Sequence, residues 1–193
     1  MSRRWILCAW LLVGACSPSP SPASRAPAAP SEDSPQAEEA ARALLPLLKA
    51  RHPEDLPSRE QILGVSGGRE GLLWQAQHGN PLVVRARALS LLRHFPDPEA
   101  RAVLLGALQQ RRAPGELRAG AMRGLSGHLA PLSEEVRAAL LAGARDPDLR
   151  VRDAALAALA SDPALRPDLE ALSNDPALSP EARQDALRRL SSP

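Results

Sequence analysis

The sequence predicts an all-α solenoid of about four helical-hairpin repeats behind an irregular N-terminal helical cap. One amphipathic helix pattern recurs along the chain at a near-constant period. Asp-Pro pairs punctuate it. No stretch sustains β alternation, and β-branched residues are scarce.

The recurring pattern is clearest from Asp146 to Ala160, where an Asp-Pro turn precedes a helix in which Arg152 is followed by Ala155, Leu156 and Leu159. The same offsets from Arg85 give Ala88, Leu89 and Leu92. From Arg118 they give Ala121, Met122 and Leu125, and from Arg183 they give Ala186, Leu187 and Leu190. The Arg residues are 33, 34 and 31 positions apart. A period in the range of roughly 20–50 residues is the signature of stacked repeats. Positions i, i+3, i+4 and i+7 share one helix face, so the Ala admits a neighbouring helix and the larger residues fill the space beside it. The Arg sits at the edge of that face, where its stem packs and its head reaches a polar partner. The turn acids Asp97, Asp146, Asp162 and Asp175, each followed by Pro, are the expected partners. Asp also suits the free N–H groups of a helix start, and Pro suits its first position.

Asp146-Pro147-Asp148 followed by Val151-Arg152-Asp153-Ala154-Ala155-Leu156 and Leu159 resembles the short HEAT-like repeat, the type also found in phycobilisome lyases. The resemblance covers about residues 69–191 and implies a right-handed α-solenoid. The family holds scaffolds, adaptors and a few enzymes. The copies at Arg118 and Arg183 depart from the pattern: Leu117 and Ala182 replace the usual Val, and Gly115 and Gly120 weaken the helix around Arg118.

The N-terminus reads as an export signal over residues 1–15. Arg3 and Arg4 precede an apolar run from Trp5 to Val13, too short to span a bilayer. Leu12-Val13-Gly14-Ala15-Cys16 resembles a bacterial lipobox, which implies cleavage before Cys16 and a lipid on its thiol. An ordinary signal cut near Ala15 or Ala23 is the alternative. Ser17 rather than Asp follows, which by analogy with the enteric sorting rule implies the outer membrane. Residues 16–35 then form a Pro/Ser/Ala-rich tether. At ~3.1 Å per residue an extended tether reaches roughly 60 Å. Removing Arg3 and Arg4 from the 24 basic side chains leaves 22, which balance the 22 acidic ones. No nucleic-acid footprint is expected, and no disulfide, because Cys8 leaves with the signal and Cys16 carries lipid.

Residues 36–68 are expected to form the helical cap or an eroded repeat, since terminal repeats must meet water on one face. Ala37 to Ala50 reads as a helix that Pro46 kinks or breaks. Ser58-Arg59-Glu60-Gln61 has capping-box spacing, and residues 64–68 read as a flexible joint. In the repeat domain, residues 69–193, helices are expected near 69–78, 81–94, 98–111, 115–128, 133–145, 148–160, 164–173 and 179–191, the seventh irregular at Pro167. Ser133 with Glu134 and Glu135 opens the fifth. Such helices are marginal alone and depend on stacking.

The sequence offers no catalytic set. His52, His78, His94 and His128 lack metal-ligand spacing and read as solvated or turn residues, and no metal or cofactor is expected. Deoxyhypusine hydroxylases of this repeat class bind iron through His-Glu pairs, and none occurs here. Residues 64–68 do not continue into a phosphate loop. After export, Trp74 and Phe95 are the only aromatic residues. Interfaces draw on Trp, Tyr and Arg, so Trp74 is a candidate anchor on the inner curve, or else a plug beside Leu72 and Leu73 between cap and repeats. Arg87, Arg123 and Arg150 read as exposed charges able to line a groove. The expected function is a non-catalytic, membrane-tethered scaffold or adaptor of the bacterial envelope, binding a protein or peptide. A lyase-like enzyme or accessory, and a passive spacer, are the alternatives.

Overall fold

The computed structural model describes residues 34–49 and 56–191. The export signal, Cys16, all of the expected tether before Ser34, and His52 lie outside them. Ten α-helices occur among the described residues: α1 (Pro35–Leu48), α2 (Arg59–Leu63), α3 (Gly68–His78), α4 (Leu82–Leu91), α5 (Pro98–Gln109), α6 (Gly115–Leu125), α7 (Glu134–Gly143), α8 (Leu149–Ser161), α9 (Arg166–Ser173) and α10 (Pro180–Ser191). Among the same residues there is no strand.

Helices α3/α4, α5/α6, α7/α8 and α9/α10 pair as four hairpins, and α1 packs on α3 as the cap. Helices α4, α6, α8 and α10 form one row in which each packs on the next. Helices α3, α5, α7 and α9 form a second row whose neighbours touch far less. A stack that packs more tightly on one side bends toward it. The α4–α10 row is therefore the inner, concave side.

The recurring apolar columns build the core. Ala88, Leu89, Leu92, Ala121, Met122, Leu125, Ala155, Leu156 and Leu159 are all buried. The last copy departs: Ala186 is buried, but Leu187 is 50% exposed, because no described hairpin follows to cover it.

Local sequence signals set the boundaries. Asp97 accepts from Ala100 N at 2.9 Å with Pro98 as the first residue of α5. Ser133 accepts from Val136 N and opens α7. The capping box at α2 is complete, with Ser58 N donating to Gln61 Oε1 at 2.8 Å and Gln61 N to Ser58 Oγ at 3.3 Å. A 3-10 turn at Pro163–Leu165 leads into α9, the irregular start expected near Pro167.

Four expectations change. Pro46 does not break α1, which continues to Leu48; the bond it forfeits falls in the final turn, where little helix remains to lose. Ser34 and Pro35, expected in the tether, already cap and begin α1. The joint at 64–68 is a packed turn rather than a flexible one. Gly67 adopts φ 66°, and a Cβ on Gly68 would lie 1.9 Å from the Ile62 carbonyl oxygen. Gly120, expected with Gly115 to weaken α6, is instead a close-packing position, and so is Gly124, which lies outside that expectation. They let α6 approach α4 so closely that a Cβ on either would meet the Ala86 or Leu89 carbonyl oxygen at 2.4 or 2.5 Å.

Candidate functional site

The Arg side chains first serve to join hairpins. Arg69 on α3 reaches Asp97 and Glu99 at the start of α5. Arg118 on α6 reaches Asp146, Arg137 on α7 grips Asp168 on α9 through two bonds of 2.8 and 2.7 Å, and Arg145 reaches Asp175. These partners stand 28, 28, 31 and 30 residues apart, close to one repeat. A charge-assisted bond of this kind fixes the register of one hairpin on the next.

The expected pairing of the recurring Arg with the turn acids holds only for Arg118 and Asp146. Arg85 donates instead to the Ala76 carbonyl at 3.1 Å, within its own hairpin, and Arg152 to the Asp146 carbonyl at 3.4 Å. Asp97 and Asp175 are taken by Arg69 and Arg145, and Asp162 caps the 3-10 turn. The reason is geometric. Arg85, Arg118 and Arg152, all near the starts of inner helices, bond back within their own hairpins, and of the three Arg118 alone also reaches the next turn, while Arg145 at the end of an outer helix meets the next turn acid.

The candidate contact residues separate. Arg123 on α6 is exposed on the inner row, near Glu116, Arg93 and Asp153. Neighbouring protein still removes enough water to lower its pKa, opposed by Glu116 and reinforced by Arg93. Arg150 is exposed at the start of α8 and holds Asp148, the helix cap, at 3.0 Å. That pairing raises the Arg150 pKa and lowers that of Asp148. Arg150 also senses Glu116, so α6 and α8 present these charges around one acid. Arg87 is not the exposed charge expected. It is half-buried and donates to the Leu48 carbonyl at 2.8 Å, tying α4 to the end of α1. Trp74 is half-buried on α3, an outer-row helix, with its ring centroid 5.1 Å from that of His78 one turn on. It is neither an anchor on the inner helices nor a fully enclosed plug.

Residues 69–160 match the family model of HEAT repeats. These residues are HEAT-like repeats. No curated protein matches the chain. The HEAT match spans α3 to α8 almost completely, and α9/α10 extend the same two-row arrangement beyond it. HEAT repeats form an interaction-scaffold type of fold.

Within these HEAT repeats the described residues contain no group of three or more His, Cys, Asp or Glu able to hold a metal. No described helix is long and apolar enough to cross a membrane. His128, expected to be solvated or in a turn, is in the turn after α6 but fully buried, with Nε2 3.2 Å from the Leu92 carbonyl oxygen. Its Nδ1 finds no partner among the described residues, nor does Arg101 Nε. Sequence reasoning named His128 without foreseeing its burial, and missed Arg101 and Asp168. The signal for Arg101 was present: Arg69, Arg101 and Arg137 recur near the start of successive outer helices.

Proposed function

We propose that the protein is a membrane-tethered, non-catalytic scaffold of the bacterial cell envelope that binds a protein or peptide partner on its concave row. The observation that carries this reading is the division of charge. Arg69, Arg118, Arg137 and Arg145 are consumed in joining one hairpin to the next, while Arg123 and Arg150 stand exposed around Glu116 on adjacent inner helices. Such a rim suits a partner surface of mixed charge, and Trp74 supplies a second contact near the first hairpin. The tether and lipid anchor rest on the sequence, from Arg3 and Arg4 through the apolar run to Cys16 and the Pro-rich stretch behind it. By the residue after Cys16, the address is the outer membrane, facing the periplasm. Two acyl chains or more would make such anchoring stable.

The test is a crosslinking pull-down of the intact protein from envelope, with Arg123→Ala and Trp74→Ala run alongside. One enriched partner that weakens in Arg123→Ala supports the concave site, and one that weakens only in Trp74→Ala moves the site to the first hairpin. Absence of any enriched partner sinks the scaffold. Cys16→Ala should abolish acyl labelling and release the protein from membranes; retention with label intact would remove the lipoprotein assignment.

A further inference from the structure

The outer row carries one interruption in its ion pairs. Arg69 finds Asp97, the cap of α5, and Arg137 finds Asp168 in the first turn of α9. Arg101 on α5 faces the junction between those two, and there the cap of α7 is Ser133, which has no charge. Arg101 is half-buried, its Nε is buried without a partner, and no acid pairs with it among the described residues. A partly desolvated guanidinium without a carboxylate is costly to keep.

A cleft opens at this same junction. One chamber of about 310 Å³ lies over Leu105, Leu108, Met122, Ala139 and Val151, with Arg111 at its rim. Leu105, Gln109 and Glu135 also line a second, open hollow of about 410 Å³, together with Arg101 and Gly106. Gly106 adds an independent sign. It sits inside α5, where Gly is a poorer helix former than Ala, yet a Cβ there would meet nothing within 4 Å. Packing within the chain therefore does not explain it, whereas close approach of another backbone would. Glu135, which follows Ser133 as Glu99 follows Asp97, lines both chambers without pairing with Arg101.

We propose that the cleft between α5 and α7 binds an acidic peptide segment of a protein partner, whose carboxylate supplies the acid missing opposite Arg101 and whose neighbouring apolar side chain lies over Leu105, Leu108 and Met122. The charge selects the peptide: Arg101 and Arg111 stand against the single Glu135, and Asp146 is already held by Arg118. The backbone of the segment crosses α5 at Gly106. This site rests on the scaffold reading but is separate from the concave row.

The test uses phenylbutyrate, which joins an apolar body to a carboxylate, and phenylbutylamine, its cationic counterpart, titrated against the isotope-labelled protein by NMR. Phenylbutyrate should give saturable shifts at the amides of Leu105, Gly106 and Ala139, and the amine should not. Arg101→Ala should weaken the acid roughly tenfold or more, the loss expected for one bond to a charged group. Glu135→Gln should tighten it by removing a like charge. Equal binding of both probes, preference for the amine, shifts confined to the concave row, or no saturable shift would each overturn the proposal. The crosslinking pull-down reads the scaffold separately, so a partner captured there with an empty cleft would remove only this site.

Discussion

Arg118 and Asp146 hold the second and third hairpins together. Arg118 Nη2 lies 2.8 Å from Asp146 Oδ1, and Nη1 donates to the Arg111 and Ala113 carbonyls at 2.9 and 2.7 Å. One guanidinium thus satisfies the turn that enters its own helix and the turn that enters the next. Arg118 is only 9% exposed, so its bonds are poorly screened by water.

Arg118→Ala should therefore cost about 2–3 kcal/mol, the scale of lost charge-assisted bonds that leave carbonyls and an acid unpaired. Arg150→Ala removes a guanidinium that is exposed and bonded only to its own helix cap, and its urea midpoint should stay near the parent's. Equal midpoints for the two variants in urea unfolding would remove the joining role of Arg118. Arg152→Ala should fall between them, since its one bond is long and its Nε already lacks a partner.

The contrast also shows what periodicity can and cannot reveal. Helix placement was legible because the columns around Arg85, Arg118 and Arg152 are buried on one face, and because Ser58, Asp97 and Ser133 cap locally. The partners of the Arg residues were not legible. Whether Arg152 or Arg145 meets a turn acid depends on how hairpins are offset in space, which no spacing within one helix encodes. Of the candidate contacts, Arg123 and Arg150 read correctly as exposed, whereas Arg87 is drawn to the end of α1, an element without the repeat pattern. Arg101 went unread because its significance lies in an acid that is missing.

Glycine in helices separates two roles that look alike in sequence. Gly120→Ala and Gly124→Ala should each destabilise by about 1–3 kcal/mol, because the added Cβ must push α4 and α6 apart. Gly106→Ala should stabilise by about 0.5–1 kcal/mol, because the space is open and the helix gains propensity. Calorimetry on the three variants decides it. A destabilised Gly106→Ala would mean that α5 is packed at that point.

The open end gives a matched pair of leucines. Leu156 and Leu187 occupy the same column, but the first is fully buried and the second half-exposed. Leu156→Ala should cost about 2–5 kcal/mol through lost burial and the cavity left behind. Leu187→Ala should cost well under half as much. Comparable losses in chemical denaturation would mean that Leu187 is covered in solution.

His128 should make stability fall on mild acidification. It is enclosed after α6, with one ring nitrogen on the Leu92 carbonyl and the other unbonded. Burial lowers its pKa; the bond to Leu92 opposes that shift, Arg101 reinforces it and Asp97 opposes it. The neutral ring is thus favoured in the fold, while the unfolded chain takes up a proton near the ordinary His value of about 6.5. Stability is complete above that pH and is lost as the pH falls from it toward the lower folded value, where the slope ends. His94 is shifted the same way by burial and adds to the effect. His128→Gln cannot titrate and retains a donor for the Leu92 carbonyl. Its unfolding free energy, measured by urea titration at pH values on both sides of 6.5, should vary less than the parent's by the share His128 contributes. Identical slopes in parent and variant would show that the His128 ring is free to take a proton in the folded state, and the burial of that turn would have to be rejected.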